Sequence, residues 1–210
     1  MISVIIRNRN EQDFIGFAIQ SCLDFFADPE IIIVDNNSTD ESLKIVKLFD
    51  KANIKIISID DYTPGRSINL GVENATHDTI LILSAHSQLT NVDLPKVKKL
   101  LDNYCAVMGQ QTPIYRGKKI TKRYVWSHFI DEPTESMFSK IENRQFLHNA
   151  FCFYSKKFLK EYPMPENYAG KEDRYWAIKV VEDGHDYFYD PNQKCNHYWT
   201  PNGATWKGIG

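Results

Sequence analysis

Apolar runs and helical periodicities alternate through the first half of the chain. Ser3 to Arg7 reads SVIIR, a β-branched run of the kind that fills a buried strand. From Glu11 to Phe26, apolar Phe14, Ile15, Ala18, Ile19, Cys22 and Leu23 recur at helical spacing. Glu30 to Asp35 (EIIIVD) is the next strand. Ser38 followed by Glu41 has the spacing of a capping box and predicts a helix start there. Ile54 to Ile59 predicts a third strand, and Pro64-Gly65 punctuates the chain before a helix from about Ser67 to Asn74. Thr79 to Leu83 is a fourth strand, Leu94 to Leu101 a helix and Cys105 to Met108 a fifth strand. Strands alternating with helices imply right-handed βαβ units, and so an α/β fold with a mostly parallel central sheet flanked by helices.

The rhythm breaks after Gly109. Gln110 to Gln145 is polar, basic from Arg116 to Arg123, and weakly periodic. A long irregular segment in a compact domain is often a functional loop. With Tyr124, Trp126, Phe129 and Phe138 it reads either as one wall of a binding site or as a solvated basic loop over a satellite core. Leu147 to Tyr154 resembles a strand again. Glu172 to Glu182 is helical, with Trp176, Ala177, Val180 and Val181 on one side, and Tyr187 to Tyr189 is a short strand before Pro191.

Composition narrows the function classes. With 210 residues and 42% hydrophobic content, the chain can bury one sizeable core and has the balance of an ordinary soluble globule. A net charge of −2 lacks the basic excess of a nucleic-acid binder. No apolar run is long enough to span a bilayer, and Met1 to Asn10 does not have the layout of a signal peptide. The scattered Cys22, Cys105, Cys152 and Cys195 form no CxxC pair, so buried free thiols in a reducing cytoplasm are expected.

In open α/β sheets, ligands bind outside the carboxyl ends of the strands. Polar clusters follow several of these ends: Arg7-Asn8-Arg9-Asn10, Asp35-Asn36-Asn37, Ser84-Ala85-His86-Ser87 and Gly109-Gln110-Gln111. Each is also compatible with turn and cap chemistry. Neither GxGxxG nor a Walker A sequence is present, which disfavours a dinucleotide site or a P-loop.

The ordered set SVIIRNRNE, EIIIVDNNSTDES, YTPGRSINLG, ILILSAHSQ, MGQQTP, AGKEDRYWA and NHYW resembles the bacterial family-2 inverting glycosyltransferases of GT-A fold. That resemblance implies one GT-A (Rossmann-like) domain over 1–210. Residues 1–109 would form the nucleotide-sugar-binding half and residues 110–210 the smaller acceptor and catalytic half. It implies sugar transfer, with inversion, from a nucleotide-sugar to a hydroxyl of a glycan or glycolipid in cell-surface polysaccharide biosynthesis. The expected location is the cytoplasm or the inner face of the membrane, with peripheral contact there. The oligomeric state stays open.

By the same resemblance, Asp35 and Asn36 match the position that reads the nucleotide base, where the family usually has two acids. Arg7 and Arg9 match the phosphate-cradling segment, although pairing with nearby acids is the alternative. Gly65, Arg66 and Asn69 match the segment that closes over the donor. Ser84-Ala85-His86 falls where the family carries Asp-x-Asp, and His197 matches a later metal-binding histidine. His86 and His197 would then hold a divalent metal, Mn²⁺ before Mg²⁺, with imidazole protonation weakening the site as pH drops through roughly 7 to 6. Glu172-Asp173 matches the catalytic acid pair, with Asp173 as base and Glu172 as helper. Gln110 and Trp176 fall on the acceptor side. The rival reading is a non-catalytic nucleotide-sugar or glycan-binding module that has lost metal function at Ser84 and His86.

Overall fold

The alternating first half builds four parallel strands with helices crossing between them: β1 (Ser3–Asn8), α1 (Ile15–Phe25), β2 (Glu30–Asp35), α2 (Ser42–Lys47), β3 (Ile54–Ser58), α3 (Pro64–Asn74) and β4 (Thr79–Ser84). A computed structural model describes residues 1–121, 124–168, 170–201 and 203. Next come β5 (Ser87–Asn91), α4 (Leu94–Leu101), the long β6 (Ala106–Tyr115) and the two-residue β7 (Lys118–Lys119). Three more two-residue strands follow: β8 (Thr134–Glu135), β9 (Phe138–Ser139) and β10 (Arg144–Gln145). The chain continues through β11 (Phe151–Ser155), α5 (Lys156–Glu161), α6 (Glu172–Glu182) and β12 (Phe188–Tyr198).

The main sheet has the order β3-β2-β1-β4-β11-β6-β12-β5. Strands β3, β2, β1 and β4 pair in parallel, as do β6 and β12. β11 inserts antiparallel between β4 and β6, and β5 pairs antiparallel with β12. This is a mixed α/β fold with a central, mostly parallel sheet.

Strand alternation explains its two cores. On β1, Val4 and Ile6 face a cluster with Ile15, Ile19 and Cys22 of α1, whereas Ile5 faces Ile68, Val72 and Trp176 on the other side. On β2, Ile31 and Ile33 join the first cluster, and Ile32 and Val34 the second. Because both faces are covered, these strands read as unbroken apolar runs.

Several boundaries differ from expectation. Ser38 does not cap α2, which begins at Ser42 without a side-chain cap. The Ser38 hydroxyl instead donates to Asp35 Oδ1 at 2.6 Å and accepts from the Asn10 amide at 3.0 Å, so the loop after β2 consumes it. Helix α3 starts at Pro64, one turn early, because Thr63 accepts from the Arg66 amide. The last strand runs on through Pro191. Proline is tolerated there because the β12 register against β6 shifts between Asp190 and Lys194. Leu147–Ala150 is not strand but the buried approach to β11. In the irregular segment Trp126 and Phe129 are fully buried, as the satellite-core reading expects, while Tyr124 and Phe138 are exposed. Arg123, at the end of the basic run, lies outside the described residues.

Candidate active site

The carboxyl ends of β1, β2 and β4 open onto one cleft of about 510 Å³. Arg7, Asn8, Arg9 and Glu11 line it from the end of β1, Asn36 from the loop after β2, and Ser84 and His86 from the end of β4. The opposite wall is Glu142 and Arg144 beside β10, His148–Ala150 before β11, and Lys171–Arg174 at the start of α6. This size suits a ligand larger than a monosaccharide.

Glu172 and Asp173 occupy the first turn of α6, where the helix dipole favours negative charge, and both are buried. Asp173 Oδ2 accepts from the Asn149 amide at 3.1 Å, and Oδ1 accepts from the Arg174 amide at 2.8 Å and its guanidinium at 3.3 Å. Its carboxylate is held at three points. Glu172 Oε1 pairs with Arg7 Nη1 at 3.1 Å. Burial, with the adjacent Asp173 charge, pushes the Glu172 carboxyl up to about 7, against the pull of Arg7. Among the described residues, Glu172 Oε2 and Arg7 Nε have no hydrogen-bond partner although buried. A native interior rarely leaves such atoms unmet, so a ligand with its own donors and acceptors is the natural complement.

A carboxyl raised in the folded state binds its proton more tightly folded than unfolded. Its stabilising contribution is full below the ordinary carboxylate value and is lost as pH rises through about 7. We expect the wild-type melting temperature to fall between about pH 5 and 8 more steeply than that of Glu172→Gln. Parallel slopes in a scanning-fluorimetry series would reject the burial account of Glu172.

Glu142 ties the far wall together. Its Oε2 accepts from Arg174 Nε at 2.6 Å and from Arg144 Nη2 at 3.0 Å. Burial alone would raise this carboxyl, but the two guanidinium groups hold it below the usual range. Glu142 and Arg144 carry no local signal along the chain, because they are joined to α6 only by the fold. His148 was equally hidden inside an apolar run.

Three histidines meet on the β4 side. The His86 and His197 rings are 4.9 Å apart, and those of His148 and His197 are 5.9 Å apart. His86 Nδ1 faces Glu11 Oε1 at 3.1 Å, and His197 Nδ1 faces Gln111 Oε1 at 2.9 Å. Burial drives His148 down to about 4, and burial with the two neighbouring imidazoles takes His197 well below its ordinary value. Burial thus opposes the charged form of His197, which weakens at this residue the proton competition expected between pH 7 and 6.

Two imidazoles sharing an ion through nitrogens at about 2.1 Å have centroids roughly 4.6–5.3 Å apart, the range in which His86 and His197 lie. Neutral imidazoles suit Mn²⁺ or Co²⁺ better than Mg²⁺. Among the described residues, no three His, Cys, Asp or Glu side chains converge to hold an ion. The chain itself would therefore supply two imidazoles at most to an ion at this place.

The other expected site residues are engaged elsewhere. Asp35 is buried, with its oxygens on Asn8 Nδ2 at 2.8 Å, the Ser38 hydroxyl at 2.6 Å and the Ser38 amide at 3.0 Å. Asn36 beside it faces the cleft. Gly65 lies against the Pro165 carbonyl, where a Cβ would sit 2.2 Å from the oxygen. Asn69 clamps the same segment, donating to Met164 O at 2.9 Å and accepting from its amide at 2.9 Å. Arg66 pairs with Asp61 at 3.2 Å beside a separate depression. Gln110 donates to Ile130 O at 3.0 Å and Asp131 Oδ1 at 2.8 Å. Trp176 is part of the core: its indole N–H donates to Tyr162 O at 2.7 Å, and Tyr154 stacks edge-on against it.

Comparison with known proteins accords with this architecture. A structure of S. aureus TarS residues 1–349 in complex with UDP-GlcNAc aligns with a TM-score of 0.75 and 17% identity, covering 100% of this chain and 61% of that one. The mannosyltransferase PcManGT from Pyrobaculum calidifontis, in complex with GDP-Man and Mn²⁺, aligns at 0.71 and 17%, covering 96% and 58%. GalNAc-T7 with UDP, GalNAc and Mn²⁺ aligns at 0.72 and 15%, covering 97% and 44%. The chain thus spans less than two thirds of each neighbour's length. No curated protein matches it significantly by sequence. The family model described as glycosyl transferase family 2 matches residues 3–163, which hold the β1, β2 and β4 ends of the cleft. The chain belongs to glycosyl transferase family 2.

Proposed function

We propose that the chain is an inverting glycosyltransferase that moves a hexosyl group from a nucleotide-sugar to a hydroxyl of a glycan or glycolipid. The observation that carries this reading is the buried Glu172-Asp173 pair facing the strand ends across one cleft. The donor lies on the strand side, with Asn36 at the base and Arg7, Arg9, Ser84 and His86 at the diphosphate. Asp35 supports that wall through Asn8 and Ser38. Gly65, Arg66 and Asn69 act on the donor through the packing of α3 against residues 164–166, and Gln110 and Trp176 on the acceptor through the core they brace.

Asp173 Oδ2 keeps a lone pair beyond its contact with the Asn149 amide, so the carboxylate can accept the acceptor hydroxyl's proton. The oxygen attacks the anomeric carbon as the bond to the diphosphate breaks, and the nucleoside diphosphate leaves on the opposite face. Arg7 and Arg9 meet the charge that develops there. A divalent ion, Mn²⁺ before Mg²⁺, would be held by His86 and His197 and would neutralise that same charge.

No helix of the described residues is long and apolar enough to cross a membrane. The four free, buried cysteines support a cytoplasmic location, with peripheral membrane contact where the acceptor is a glycolipid.

Proton NMR of slow donor hydrolysis tests the reaction. An α-linked nucleotide-sugar should first release the β-sugar. Initial release of the α-anomer would overturn inversion. No consumption of any UDP- or GDP-sugar at high enzyme concentration would favour the binding-module reading.

A further inference from the structure

Gln111 lies fully buried between two histidines, outside every role given above. Its carboxamide oxygen faces His197 Nδ1 at 2.9 Å, and its nitrogen faces His148 Nδ1 at 3.2 Å. An amide oxygen only accepts and an amide nitrogen only donates. His197 must therefore carry its proton on Nδ1, and His148 must leave its Nδ1 bare.

Two further contacts fix the orientation of the amide. The Gln111 nitrogen also points at the His148 carbonyl at 3.5 Å, where a swapped amide would set oxygen against oxygen. The Ala150 backbone N–H approaches His148 Nδ1 at 3.4 Å, which independently requires that nitrogen to accept. Across the cluster, His86 Nδ1 lies 3.1 Å from Glu11 Oε1, and both side chains are largely buried. An ionised carboxylate only accepts, so His86 too carries its proton on Nδ1.

We propose that Gln111 and Glu11 are positioning residues that set the tautomers of this cluster. They hold His197 and His86 as Nδ1–H imidazoles with Nε2 as the lone-pair nitrogen, and Gln111 holds His148 in the opposite form. A metal-ligating imidazole is usually oriented through its other ring nitrogen, and losing that outer contact typically costs 10–100-fold in metal affinity. The Ser84-Ala85-His86 segment offers no carboxylate, so tautomer control at the two imidazoles would decide whether a metal binds and which one. This part rests on the metal reading given under Proposed function; the tautomer assignment does not.

The two are separated by one set of variants with two readouts. Long-range ¹H–¹⁵N NMR of histidine-labelled protein reports which ring nitrogen is protonated. We expect Nδ1–H at His197 and His86, and Nε2–H at His148. Mn²⁺ titration in the presence of UDP, followed by electron paramagnetic resonance, reports affinity. Gln111→Leu removes both contacts and should weaken Mn²⁺ by at least about tenfold. Gln111→Glu keeps the acceptor for His197 but offers His148 no donor. It should retain Mn²⁺ within about threefold while His148 moves its proton to Nδ1. An Nε2–H signal at His197 in the wild type would overturn the tautomer assignment, as would an unchanged His148 in Gln111→Glu. Wild-type Mn²⁺ affinity in a folded Gln111→Leu would overturn the positioning role. Failure of the wild type to bind Mn²⁺ would instead overturn the metal reading, with the NMR spectrum still deciding the tautomers.

Discussion

Asp173→Asn should lower turnover by at least about a hundredfold, the scale of losing a general base, while donor affinity stays close to wild type. The substitution keeps the shape of the side chain. The Asn149 amide at 3.1 Å and the Arg174 amide at 2.8 Å both need acceptors on residue 173, and the new carboxamide offers only one. Arg174 also loses a buried counter-charge, but Glu142 at 2.6 Å remains, so the fold should survive. Circular dichroism and donor titration on the same sample separate a lost base from a lost structure. A folded variant that turns over at near wild-type rate would move the base elsewhere, with Glu172 the first alternative.

His86→Ala should abolish the stimulation of activity by Mn²⁺ and lower Mn²⁺ affinity by more than about a hundredfold, since outer-contact losses alone reach 10–100-fold. His86→Asp should shift preference toward Mg²⁺, because carboxylate is the harder ligand. The competing account gives the whole diphosphate charge to Arg7, Arg9 and their neighbours. Full wild-type activity in excess EDTA, with no effect of His86→Ala on any metal response, would leave that account standing.

The fold was legible where burial is two-sided. SVIIR, EIIIVD and TILIL lie in β1, β2 and β4, and the helix over Glu172–Glu182 matches α6 residue for residue. Strand ends pointed to the cleft because a parallel sheet forces loops of one polarity to one edge. What was not legible depends on long-range partners. Ser38 has the local look of a cap, but Asp35 and Asn10 claim it first. β5 is polar on one side and exists only through its pairing with β12. Asp35, Gly65 and Asn69 match the family's donor residues in sequence, while the contacts they make in the fold, with Asn8, the Pro165 carbonyl and Met164, come from distant segments. Glu142 and His148 carry no periodic signal, and their partners Arg174 and Gln111 lie 32 and 37 positions away.

Calorimetric titration of UDP- and GDP-sugars, in the presence of Mn²⁺, into wild type and Arg9→Ala tests most directly whether this cleft is a nucleotide-sugar site. Arg9 is exposed on the cleft wall, so its loss should not disturb the core. Saturable one-to-one binding of donors of one base class, weakened roughly tenfold in Arg9→Ala by the loss of a charge-assisted hydrogen bond, is the predicted result. No saturable binding by any donor, or binding that Arg9→Ala leaves unchanged, would contradict the placement of the donor in this cleft.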